Sequence, residues 1–71
     1  MSVEAVNARN QFRGVVKDII VGTVVSEVLV ETPHGVVASV ITTRSIAELK
    51  LRIGTDVLAV VRATEVSLAR V

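Results

Sequence analysis

Phe12-Arg13-Gly14-Val15-Val16-Lys17-Asp18-Ile19-Ile20 is the stretch that decides the fold. Its β-branched Val15, Val16, Ile19 and Ile20 favour a strand. The alternation is not clean, however. Phe12, Gly14 and Val16 share one face, and the pattern then slips at Lys17-Asp18. A slip of parity inside a strand, with a glycine nearby, predicts a bulge or a sharply coiled barrel strand.

Downstream of it, Val21-Gly22-Thr23 reads as a turn and Val24 to Glu31 as a second strand. In that strand Val24, Ser26, Val28 and Val30 face one way, and Val25, Glu27, Leu29 and Glu31 the other. Thr32-Pro33-His34-Gly35 is a hairpin connection, and Val36 to Thr42 returns as a third strand. Ser45-Ile46-Ala47-Glu48 fits a capping box, with Ser45 capping and Glu48 reaching back, at the head of a short helix through about Leu49. Arg52 to Asp56 is a turn, Val57 to Ala63 a fourth strand, and Val66 to Ala69 a last short one. Short strands of this number, five or six, with one brief helix before the penultimate strand, describe an all-β barrel of the OB type. It occupies residues 1–71 as one domain.

Composition adds a second expectation. Of the 71 residues 51% are apolar, yet Phe12 is the one aromatic, and there is no cysteine to staple the fold. A domain of this size gains little net stability from a single core, and oligomerisation is the usual remedy. The strand Val57 to Ala63 agrees with that. Val57, Ala59 and Val61 lie on one face and Leu58 and Val60 on the other, so its outer face is predicted to meet another copy. A net charge of +1 gives no bulk attraction to nucleic acid. The first six residues lack the cationic and apolar regions of a signal peptide, and no apolar run is long enough to span a membrane. The expected location is the cytoplasm.

The chemistry concentrates just ahead of the first strand, in Asn7-Ala8-Arg9-Asn10-Gln11. Here an Arg fork, several side-chain amides and lightly shielded backbone N–H groups stand together, uninterrupted by a carboxylate. Groups that mostly donate, beside a fixed positive charge, suit a ligand that mostly accepts, and an oxyanion is the plainest one. Thr42-Thr43-Arg44-Ser45 and Arg62-Ala63-Thr64 have the same character. The expectation is that the three pieces meet, within one subunit or between subunits, around a tetrahedral anion.

These stretches, together with Val21-Gly22-Thr23-Val24 and Leu51 to Val57, fall in the order and spacing of the molybdate-binding Mop proteins, the molbindins. The same module is known as the TOBE domain. The resemblance runs from about Val6 to Leu68. It implies an OB-like barrel assembled as a homo-hexamer, a trimer of dimers, that binds, stores or buffers molybdate or tungstate between subunits. Carried over by position, one kind of site would use Ala8, Arg9, Asn10, Thr42, Ser45, Ala63 and Thr64. A second kind, near the threefold axis, would use backbone amides around Gly22 and Thr23. The chain departs from the family's usual pattern in having Asn7 for Ser and Arg62 for Lys. Both keep a donor and Arg62 keeps the charge, so both stay in the expected site, although Arg forks differently from Lys. Molybdate and tungstate are dianions that offer only acceptors, whereas phosphate near neutral pH keeps a proton that a carboxylate would best receive. A donor-only pocket therefore favours the first two and sulfate, and sulfate would then be excluded by cavity size.

Plainer roles compete at each position. Ser45 is a good helix cap whatever else it does, Arg62 suits an interface with its stem buried, and Arg44 suits solvent. Gly22 and Gly54 suit turns, and His34 a hairpin tip. The acidic residues Asp18, Glu27, Glu31, Glu48, Asp56 and Glu65 lie scattered, with no cation site and no catalytic pair among them. An enzyme is therefore the least supported class. An OB-type nucleic-acid binder is opposed by the low charge and the lack of aromatic stacking platforms. A purely structural oligomerisation module predicts the same hexamer with no ligand.

Overall fold

The computed structural model describes residues 10–71. Asn7, Ala8 and Arg9 therefore lie outside the described residues. Four strands form one antiparallel sheet: β1 (Asn10–Ile20), β2 (Val25–Thr32), β3 (Gly35–Thr42) and β4 (Asp56–Val61), in the order β3-β2-β1-β4. A short helix, α1 (Thr43–Glu48), and a 3-10 turn at Ala63–Glu65 complete the regular structure.

β1 changes partner along its length. Its first half pairs with β4, from Asn10 opposite Val61 to Val15 opposite Asp56, and its second half pairs with β2, out to Ile20 opposite Glu27. The predicted slip is a bulge: the β1–β2 register shifts between Val16 and Asp18. Before it Gly14 and Val16 point inward and are buried; after it the inward residue is Ile19. At this point Val16 bonds the turn ahead of β4, donating to Thr55 O at 2.9 Å and accepting from Gly54 N–H at 2.9 Å. A Cβ on Gly14 would strike the Glu31 carbonyl oxygen and the Val30 side chain, so glycine is what lets β1 and β2 approach closely here. The result is a curled sheet, an open half-barrel of the OB kind.

The inner face holds the core. Val16, Val28 and Val30 are each under 5% exposed, and Ile19, Ile41, Ile46, Leu51 and Val57 pack around them. In β2 the predicted alternation is observed for Ser26, Val28 and Val30, all buried, whereas Val24 lies before the strand and is exposed. Thr32 closes the hairpin, its hydroxyl donating to Gly35 O at 2.8 Å and accepting from His34 N–H at 3.1 Å. At the tip His34 meets the edge of Phe12, with ring centroids 6.4 Å apart. Between the free edges of β3 and β4 runs an apolar cavity of about 270 Å³, lined by Val37, Ile41, Leu51, Val57 and Val61 among others.

Three expectations need correction. The helix starts at Thr43 with Thr42 as its cap, so Ser45 is not the cap and Glu48 does not reach back to it. The reason is that Thr42, still extended at φ −66° and ψ 146°, presents its own hydroxyl one turn earlier. β4 ends at Val61, and Ala63 belongs to the 3-10 turn. The final strand over Val66 to Ala69 is not formed, which leaves four strands rather than five or six among the described residues. A strand needs a neighbour to bond, and this tail has none among the described residues; Leu68 is 94% exposed.

Candidate functional site

The β3–α1 junction gathers hydroxyls at the surface. Thr42 Oγ1 accepts the Ser45 backbone N–H at 3.1 Å, and the two side-chain oxygens lie 2.7 Å apart. Two hydroxyls carry two hydrogens, and their mutual bond uses one. No other described residue takes the second, so this pair offers an O–H outward. The first turn of α1 contains no acidic residue. Thr42 is exposed, Ser45 half-buried, and Arg44 beside them exposed.

Behind this junction lies a buried polar knot. Ser26 Oγ, 2.7 Å from Thr43 Oγ1, accepts the Gly22 N–H at 3.1 Å, and Thr43 Oγ1 donates to the Gly22 carbonyl at 2.7 Å. The Thr43 N–H also bonds Val24 O at 2.9 Å. The turn at Gly22-Thr23 is thereby fixed against the head of α1, with Gly22 bonded to Thr43, the residue that follows Thr42. Gly22 has no room for a side chain, because a Cβ would fall on the Val25 carbonyl oxygen.

The other donors form a second group. Asn10 is opposite Val61 in the β1–β4 ladder, at the exit of β4 where Arg62, Ala63 and Thr64 follow in the chain. Arg62 is extended, at φ −67° and ψ 143°, and its carbonyl accepts the Glu65 N–H at 2.8 Å. Arg62, Ala63 and Thr64 are all exposed, and Asn10 is half-buried. Asn7, Ala8 and Arg9 precede Asn10 in sequence and fall outside the described residues.

One chain does not bring the two groups to one point. Thr42 ends β3, one edge strand; Arg62 follows β4, the other. Val57 at the start of β4 packs on the same core as Ile41 and Ile46. From there β4 runs on to Val61, and the five steps from Val57 to Arg62 span roughly 17 Å. A tetrahedral oxyanion is far smaller than that.

Ser26 is the residue that sequence reasoning missed. The available signal was one polar side chain on a face otherwise made of Val24, Val28 and Val30. Among the described residues no group of His, Asp or Glu could hold a metal ion, and no helix is long and apolar enough to cross a membrane.

The TOBE domain is the family that matches, over residues 7–68. Solved structures agree. MopII from Clostridium pasteurianum, in an apo form, is 34% identical with a TM-score of 0.86, over 93% of this chain and 100% of that one. A molybdate-binding protein from Sporomusa ovata is 32% identical with a TM-score of 0.87, over 92% of this chain and 97% of that one. The cytoplasmic molybdate-binding protein ModG, in a form with molybdate bound, is 34% identical with a TM-score of 0.83 over 89% of this chain, which spans 45% of ModG. No curated protein sequence gives a significant match.

Proposed function

On the premise that this chain belongs to the TOBE domain family and has the fold of the molbindins, we propose that it binds molybdate or tungstate at sites formed between copies of itself. The role is storage or buffering of the oxyanion in the cytoplasm, by a binding protein rather than an enzyme. The assembly is a homo-hexamer built as a trimer of dimers.

The observation that carries this reading is the division of the donor set. Thr42 and Ser45 stand at one end of the half-barrel; Asn10, Arg62, Ala63 and Thr64 stand at the other, with Asn7, Ala8 and Arg9 leading into Asn10. An ion held by both groups takes them from two copies. One group brings hydroxyls without a carboxylate in its first turn, the other amides and guanidinium charge. Hydrogen bonds to a charged acceptor are each worth roughly 1.5–3 kcal/mol, so a few of them hold a dianion in a water-poor interface. Thr23, on the turn that Gly22 shapes, supplies the second kind of site.

Assembly has its own support. Ile20, Val21, Val24, Val25 and Val40 are all more than half exposed and lie around the Gly22 turn. Val60 on the outer face of β4 is 42% exposed. Single exposed valines are ordinary, but a cluster of them marks a contact surface.

The test is calorimetric titration of the wild type and of Arg9→Ala with molybdate, tungstate and phosphate. The wild type takes the first two far more tightly than phosphate, and Arg9→Ala loses roughly ten- to a hundredfold in affinity with the removed charge-assisted donor. Phosphate binding as tight as molybdate contradicts the donor-only pocket. An unchanged affinity in Arg9→Ala contradicts the assignment of Arg9. Tighter binding of single-stranded DNA than of any oxyanion favours the nucleic-acid class instead.

A further inference from the structure

The knot at Gly22 is a closed ring, and its proton directions follow from counting hydrogens. Thr43 has one hydroxyl hydrogen, and it goes to the Gly22 carbonyl at 2.7 Å. The 2.7 Å bond between Ser26 Oγ and Thr43 Oγ1 must then use the hydrogen of Ser26. Ser26 in turn accepts the Gly22 N–H at 3.1 Å. Both polar groups of the Gly22 backbone and both hydroxyls are committed in one direction around the ring. Ser26 sits within it at 3% exposure.

We propose that Ser26 and Thr43 are positioning residues for oxyanion binding: through this ring they hold the Gly22-Thr23 turn and the first turn of α1 as one unit. The inference rests on the oxyanion reading of Thr42, Ser45 and Thr23. Neither positioning side chain touches the ion. The backbone bond from Thr43 N–H to Val24 O already ties α1 to the turn at one point. The helix also continues from the paired end of β3 and rests Ile46 on the core, and the ring adds a polar attachment at its first turn, drawing on residues 17 and 21 positions apart in sequence. It thus holds the Thr42–Ser45 hydroxyls of one kind of site and the Thr23 backbone of the other in place before an ion arrives, and donors fixed in advance bind more tightly than donors ordered by the ligand. The ring also reserves the Gly22 N–H. An ion that took it would leave buried Ser26 without its donor, so the oxyanion is met at Thr23 while Gly22 serves to hold the turn.

The experiment compares wild type, Ser26→Ala, Thr43→Val and Thr43→Ser. Molybdate affinity is measured by calorimetry below the melting range, and exchange of the Gly22 amide by NMR. Ser26→Ala and Thr43→Val bind molybdate about tenfold more weakly, the scale of losing a supporting partner of a ligand, and their Gly22 amide exchanges faster. Thr43→Ser keeps the hydroxyl and stays near wild type in both. If Thr43→Val fails to fold, Ser26→Ala, which only removes an oxygen, against Thr43→Ser gives the same contrast. Faster Gly22 exchange with unchanged molybdate affinity overturns the positioning role and leaves the oxyanion reading intact. A Gly22 amide that stays protected in Ser26→Ala overturns the ring as the constraint. A wild type that binds no molybdate overturns the oxyanion reading, and the positioning role falls with it.

Discussion

Lys50 is the one non-glycine residue with positive φ among the described residues, at 54°. It follows the helix, where Lys50 N–H bonds Ala47 O at 3.1 Å and Leu51 N–H bonds Ile46 O at 3.0 Å. That pair of bonds is a Schellman ending, whose left-handed position glycine fills most readily. An L-residue there costs on the order of 1–2 kcal/mol, from which glycine's extra unfolded-state entropy of about 0.5–1 kcal/mol must be subtracted. Lys50→Gly should therefore raise the melting temperature by a few degrees, roughly 2–8 °C for a domain of this size. An equal or lower melting point would show that Lys50 makes a compensating interaction. Thr42 permits a cleaner separation of stability from binding. Aspartate caps a helix at least as well as threonine, but it sets a negative charge against an incoming dianion. Thr42→Asp is expected to melt close to wild type and to lose molybdate by more than about tenfold. Thr42→Val should instead lose about 1 kcal/mol of stability with the cap. Full molybdate affinity in Thr42→Asp, measured by calorimetry, would remove Thr42 from the site.

Among the elements, β1 was the most legible and the chain after β4 the least. The parity slip at Lys17-Asp18 is written into the sequence because a bulge must change which residues face the core, and Val16 and Ile19 record that change. The hairpin at Thr32 to Gly35 was legible for a similar local reason. The start of α1 was not, because Thr42 ends a strand and caps a helix at once, and the Ser45–Glu48 spacing offered a competing box one turn later. The tail from Val66 has the composition of a strand, but strand formation depends on a partner that local sequence cannot display. The ring at Ser26 lay hidden for the same reason, since its members are distant in sequence. Gly14 tests the curl of β1 directly. Gly14→Ala forces a methyl against the Glu31 carbonyl and the Val30 side chain, and a backbone neighbour cannot rotate away. The expected loss is about 1–3 kcal/mol, seen as a lower denaturation midpoint. An unaffected midpoint would mean that β1 and β2 pass with more room than this.

For the whole molecule, the small core and the uncovered apolar surface point the same way. Among the described residues three valines make the buried apolar core, while Ile20, Val21, Val24, Val25 and Val40 stay largely exposed at one end of the sheet. A chain of 71 residues gains little net stability from a core this slight, and covering the exposed apolar surface with other copies would add to it. Val24→Asp and Val60→Asp place a charge on the two apolar surfaces separately. Light scattering should report a smaller particle for whichever surface is buried in the assembly, and an unchanged mass for both would exclude these surfaces as contacts. The donor groups lie at opposite ends of one chain, so loss of assembly should abolish oxyanion binding even where every donor residue is intact.

The most direct test of binding between copies is native mass spectrometry of the wild type with added molybdate, and in parallel with phosphate. The expected result is a hexamer that takes up molybdate, bare monomers at any concentration where they occur, and little retained phosphate. Molybdate retained on the monomer, or a hexamer that keeps phosphate as readily as molybdate, would contradict it.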